Sequence, residues 1–132
     1  LSHLVTSVPG SSAYYIGSTI SYSNEVKSKF LGVDPLIIEK EGAVSEMVAK
    51  AMAAGVREKL GTTFALSTTG IAGPGGGTPE KPVGTVWIGL AVPGGVIAKK
   101  FLFGNNRLRN IQATSLYAFK MLRNEMMGIA QE

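Results

Sequence analysis

The sequence has no cysteine and a single histidine, His3, among its 132 residues. Without thiols there can be neither disulfides nor thiolate zinc sites. One histidine also excludes a two-histidine metal centre within this chain. A Ser-His-Asp triad would have to use His3, near a terminus, where the geometry of such a triad is hardest to hold. Long apolar runs are missing too: none approaches the roughly 20 residues that a bilayer-spanning helix needs. Charge is sparse and mixed. Thirteen Lys and Arg against nine Asp and Glu give a formal net charge of +4, and Lys99-Lys100 is the one adjacent basic pair. Arg109, Lys120 and Arg123 share a helical stripe, but no aromatic stacking residues interleave with them. That favours a solvated face over a nucleic-acid surface. The expectation is an intracellular, cytoplasmic enzyme or binding domain, with no metal, no cofactor and no membrane partner.

The composition, 45% hydrophobic and 17% charged, suits one globular domain with a core of its own. Leu1, Leu4, Val5 and Val8 keep a helical rhythm that Pro9-Gly10 ends. Ala13 to Tyr22, rich in Tyr, Ile and Thr, reads as a strand. Ser23 or Asn24 caps a short helix from Glu25 to Phe30, closed by Gly32. Asp34-Pro35 starts a helical turn to about Lys40. Ser45 caps a longer helix to Leu60 with Val44, Val48, Met52, Val56 and Leu60 on one stripe, and Gly61 ends it. Strands follow at Ala65 to Thr69, Val83 to Val92 and Val96 to Phe103, the last two joined across Pro93-Gly94-Gly95. Asn105 or Asn106 caps a final helix whose expected core face is Leu108, Ile111, Ser115, Ala118, Leu122 and Met126. Strands interleaved with helices predict an α/β layered fold, and the hairpin predicts a mixed sheet.

Between the first two of those later strands lies the most unusual stretch, with Gly70, Gly73 and Gly75 to Gly77 among Pro74, Pro79 and Pro82. Glycine lets backbone take positive φ and come close to a bound group, and proline lowers the entropy cost of ordering the loop. No Lys-Ser/Thr follows a glycine as in a P-loop, and no GxGxxG opens a helix. Composition leaves two readings open, a mobile connection or a binding loop of unspecified ligand. On spacing alone Lys27 reads as a solvent lysine, and Tyr22 as a strand-end aromatic with its hydroxyl in water.

The letters themselves carry more. TGIAGPGGGTPEKPVGTVW, from Thr69 to Trp87, resembles the signature of the CinA C-terminal domain family. PGSSAYYIGSTISYSNEVK (Pro9 to Lys27) and GAVSE (Gly42 to Glu46) join it in the family's order and spacing. The resemblance covers nearly the whole of residues 1–132 as one such domain and implies a three-layer α/β/α sandwich and a homodimer. It also implies nicotinamide mononucleotide (NMN) deamidase activity: a serine attacks the carboxamide, ammonia leaves, and water releases nicotinate mononucleotide. The alternative is a non-catalytic nucleotide-binding domain or a competence- or damage-related interaction domain.

Residue by residue, Lys27 matches the lysine that would activate the serine, and Tyr22 would assist the proton transfer. Asn24 would orient ribose or carboxamide, and Thr69, Gly70, Ile71, Ala72 and Gly73 would line the pocket. Ser11 and Ser12 rank second. In the family the first helix is preceded by a strand and an AESCTGG-like motif holding the nucleophile, a motif not found here. Either the sequence is part of a longer protein or the protein is truncated, and an uncapped half-helix at the start favours the former. A further departure lies at the last helix. Asn106 and Asn110 stand where relatives often carry arginines, with Arg107 and Arg109 one residue off each, which leaves any phosphate role for either arginine in doubt.

Overall fold

Helices cover both faces of a small sheet in the computed structural model, which describes residues 1–131. The elements are α1 (Ser2–Thr6), a 3-10 turn (Ser11–Ala13), α2 (Asn24–Leu31), α3 (Pro35–Glu41), α4 (Glu46–Leu60), β1 (Ala65–Gly70), β2 (Thr85–Val92), β3 (Gly95–Leu102) and α5 (Arg107–Met126). Local chemistry sets most helix ends. Ser23 accepts the Val26 N–H, Asp34 the Leu36 N–H, Ser45 the Val48 N–H and Asn106 the Arg109 N–H. Each side chain satisfies a donor that the first helical turn leaves unpaired. Gly32 and Gly61 end α2 and α4 in the left-handed region, which costs a glycine little.

The sheet order is β1-β2-β3, with Thr68 opposite Ile88 and Leu90 opposite Ile97. One face of β2, Val86, Ile88 and Leu90, packs on Ala118 and Met121 of α5. Burying a side chain such as Ile88 or Leu90 stabilises the fold by about 1.5–3 kcal/mol. On the other face α4 comes so close that Ser67 Oγ donates to the Ala49 carbonyl at 2.6 Å, and a Cβ on Gly89 would lie 2.4 Å from that oxygen. Leu31, Val33 and Ile38 then pack on Val48 and Met52 as the outer part of that layer. The α/β sandwich is therefore as expected.

Four expectations change. Residues 13–22 form no strand: after the 3-10 turn they run extended but join no ladder. Their period of two survives, with Tyr14, Ile16, Ile20 and Tyr22 exposed, because alternation fixes backbone conformation without supplying a partner. Both strand pairings are antiparallel, so the described sheet is not mixed. The buried face of α5 is Asn110, Ala118, Met121 and Asn124, while Leu108, Ile111 and Met126 are exposed. Met121 and the hydrogen-bonded Asn110 join Ala118 on that face in place of the most apolar stripe. In α4 the buried set is Val48, Ala49, Met52 and Ala53, and Val44 precedes the helix.

A glycine inside α4 gives a direct check on this packing. Gly55 sits where a Cβ would come within 1.9 Å of the Leu31 carbonyl oxygen, so α2 and α4 cross at backbone contact. Gly→Ala in a helix interior ordinarily stabilises by up to about 1 kcal/mol. Here Gly55→Ala is expected to destabilise by about 1–3 kcal/mol, as overpacking does. Urea unfolding of the two proteins measures it, and a more stable variant would show that the helices are not in contact there.

Candidate active site

Two groups of residues make up the candidate site. The first is built where the extended segment turns into α2. Ser23 caps the helix, which places Lys27 one turn in and faces it inward, with only 7% of its surface exposed. Its Nζ donates to the Tyr22 carbonyl at 3.1 Å, and no carboxylate lies within ion-pair distance among the described residues. Burial without a compensating anion pushes the Lys27 ammonium below its usual value of 10.5. Tyr22 meets the lysine through its main chain, and its ring lies in solvent, 83% exposed. Asn24, the first residue of α2, is exposed with no hydrogen bond to its side chain among the described residues.

The second group is the glycine loop after β1. Thr69 is buried and its hydroxyl donates to the Ala43 carbonyl at 2.7 Å, fastening the strand end to the turn before α4. Gly70 has no room for a side chain: a Cβ would lie 2.7 Å from Val86 Cγ2 and 2.9 Å from the Thr85 carbonyl. Gly73 is required twice, by a φ of +90° and by Val83 Cγ1, which a Cβ would approach to 2.5 Å. Its glycine thus serves the fold as well as any ligand.

From there the loop is held by its carbonyls. The Gly84 N–H donates to Ile71 O at 2.7 Å, Asn110 Nδ2 to Ala72 O at 3.0 Å, and an Arg107 guanidinium N–H to Gly73 O at 2.7 Å. The peptides joining Ile71 to Ala72 and Ala72 to Gly73 are trans. In a trans peptide the C=O and N–H point in opposite directions. The N–H groups of Ala72 and Gly73 therefore point away from the residues that grip the carbonyls, and neither meets an acceptor among the described residues. Two successive N–H groups without an acceptor are candidate donors to an anion or a developing oxyanion. Farther on, Lys81 Nζ donates to the Glu41 carbonyl at 2.6 Å, and the Thr78 N–H donates to Lys81 O at 2.9 Å. This is a fastened loop rather than a slack connection. No hydrogen bond joins Lys27 to Thr69–Gly73, and Ser11 and Ser12 lie in the 3-10 turn, with Ser11 buried and Ser12 exposed.

The match to known proteins is close. The family model described as the CinA C-terminal domain matches residues 1–126. The chain belongs to the CinA C-terminal domain family. A CinA-like protein of Cytophaga hutchinsonii is 48% identical over 98% of the chain, and one of Synechocystis is 58% identical over 83% of it. The chain spans 31% and 26% of those relatives, less than a third of their length. Among solved structures, the competence/damage inducible protein CihA from Agrobacterium tumefaciens is 36% identical, with a TM-score of 0.89, covering 92% of this chain and 74% of that one. The competence damage-inducible protein A of Klebsiella pneumoniae is 25% identical with a TM-score of 0.91, covering 96% and 78%. No described helix of this CinA domain is long and apolar enough to cross a membrane.

Sequence reasoning about this CinA domain missed the anchors. Arg107 reaches the loop through Gly73 O, and Asn110 does so from a nearly closed environment, 1% exposed. One signal was available: Asn110, Thr114, Ala118 and Met121 recur at helical spacing, a second stripe set apart from the apolar one.

The lysine makes a testable demand on stability. Its folded pKa lies below the unfolded one, so between the two the unfolded chain binds more protons. Stability must then rise with pH over that window, up to about 10.5, and fall as the pH drops through the folded value. Denaturant unfolding of wild type and Lys27→Met from pH 7 to 10.5 should show the wild type gaining on the variant as pH rises. Parallel curves would mean that Lys27 is solvated and keeps its ordinary pKa.

Proposed function

We propose that this CinA domain is the catalytic unit of an amidohydrolase that converts NMN to nicotinate mononucleotide and ammonia. The observation that carries this reading is Lys27, a buried lysine with no anionic partner among the described residues and a lowered pKa, at the position where the family resemblance implies a base. A serine hydroxyl attacks an amide poorly until a base takes its proton, and only a neutral lysine can do so. The one histidine of residues 1–132 is exposed on α1, so Lys27 is the better-placed base among these residues.

In this mechanism the nucleophile is the serine of the AESCTGG-like motif that the resemblance places before α1. Neutral Lys27 takes the serine proton, and Oγ bonds to the carboxamide carbon. The negative charge on the former carbonyl oxygen is met by the Ala72 and Gly73 N–H groups. Removing one such donor typically costs about 10²–10³-fold in kcat. The C–N bond then breaks. Ammonia departs with the proton held by Lys27; the Tyr22 hydroxyl, its ring in solvent, takes no part, and Tyr22 serves the lysine through its carbonyl. Water adds to the acyl-enzyme with Lys27 again as base, which releases nicotinate mononucleotide and restores the serine. Asn24 has an uncommitted amide for the ribose or carboxamide, and Thr69, Gly70 and Ile71 form the pocket wall. The reading needs no metal or cofactor and takes the working unit to be a cytoplasmic homodimer.

A second reading rests on the names of the relatives. Competence/damage inducible proteins are among the solved structures most like this one, and the same loop without a nucleophile would hold a nucleotide and catalyse nothing. Ammonia release from NMN separates the two. With the full-length protein, Lys27→Ala should lower kcat by about 10²–10⁴-fold, the usual worth of a positioned acid–base group, and change KM little. Lys27→Arg should be equally inactive, since a guanidinium keeps its proton. Wild-type turnover in either variant would rule out Lys27 as the base.

A further inference from the structure

We infer that Asn110 is a positioning residue, whose side-chain amide holds the Ala72–Gly73 peptide and so sets the direction of the Gly73 N–H donor beside that of Ala72. The inference rests on the anion-binding role given to those donors above.

Asn110 lies in the first turn of α5 and is 1% exposed. Its amide is fully engaged at short range. Nδ2 donates to Ala72 O at 3.0 Å and to Gly104 O at 2.8 Å, while Oδ1 accepts the Gly104 N–H at 3.1 Å. Both Nδ2 protons and one Oδ1 lone pair are thereby used. One planar group ties the glycine loop, the turn after β3 and α5 into a unit. The turn cannot drift, because a Cβ on Gly84 would lie 2.3 Å from Gly104 O, and Gly84 itself donates to Ile71 O. Ala72 is therefore gripped on one side through Ile71 O and on the other through its own carbonyl.

The consequence is directional. Rotating the Ala72–Gly73 peptide would carry Ala72 O off Nδ2 and swing the Gly73 N–H away from the site. Asn110 holds that plane still without touching a ligand. Arg107, exposed at the helix start, adds the neighbouring hold on Gly73 O. An aspartate at 110 has the same shape but would turn a carboxylate toward two carbonyl oxygens, so it should release the loop rather than hold it.

The test reads the donors directly. Backbone amide resonances of Ala72 and Gly73 are followed during titration with inorganic phosphate in wild type, Asn110→Ala and Asn110→Asp, each checked for folding by its thermal transition. In wild type both amides should shift, and in the folded variants the phosphate affinity at these amides should weaken by about tenfold or more. Under the proposed reaction, kcat for NMN should fall by about 10²-fold with KM changed by less than about threefold, the pattern of a group acting on the transition state. Variants that bind phosphate at Ala72 and Gly73 as wild type does would overturn the inference. If neither variant folds, the Asn110 side-chain N–H resonances of the wild type decide it. They should move in step with Ala72 and Gly73 during the titration, and a stationary side-chain amide would overturn the inference as well. Phosphate shifts that depend on Asn110 in a protein that releases no ammonia from NMN would count against the amidohydrolase reading alone.

Discussion

The candidate site depends on one constraint: three successive carbonyls, Ile71, Ala72 and Gly73, are held against the body of the domain. A glycine-rich loop left to itself samples many conformations, and ordering it costs roughly 1–2 kcal/mol per residue. Holding the carbonyls meets that cost within the fold. It also leaves the N–H groups on the opposite edge of the peptides, those of Ala72 and Gly73, without an acceptor among the described residues. Charge stabilisation from such fixed donors needs no rearrangement when the oxyanion forms.

That constraint reaches back into the packing of the whole domain. Gly84 lets the β2 start and the turn after β3 approach within backbone contact, and Asn110 enters only because α5 starts directly after that turn. On the other face, Gly89 lets α4 lie on the sheet, and Thr69 ties the strand end to Ala43. Ala43 packs against the cluster that contains Leu31 of α2, the helix that carries Lys27. Lys27 and the glycine loop are thus supported by one continuous body, although no hydrogen bond joins them. At both ends, backbone-to-backbone contact that only glycine permits sets the geometry.

What the sequence revealed and what it hid follow the same division. Ser23, Asp34, Ser45, Gly32 and Gly61 were legible because caps are decided within a few residues. The glycine loop and Lys27 stood out by their letters and by family likeness. Residues 13–22 misled because alternation describes a backbone shape, while a strand also needs a neighbour that local sequence does not name. The buried face of α5 misled for a related reason: Asn110 faces inward because Ala72 and Gly104 supply its partners, and those lie 38 and 6 residues away. Tyr22 shows the limit at a single residue, since its main chain rather than its ring meets Lys27.

The central claim is that the loop is a fixed array of donors. Nitrogen-15 relaxation of the backbone amides tests it without any ligand or reaction. Ile71, Ala72 and Gly73 should have order parameters of about 0.85, like those of the β2 amides beside them. Values below about 0.6 at Ala72 and Gly73, with the sheet rigid, would show a mobile connection and contradict the account.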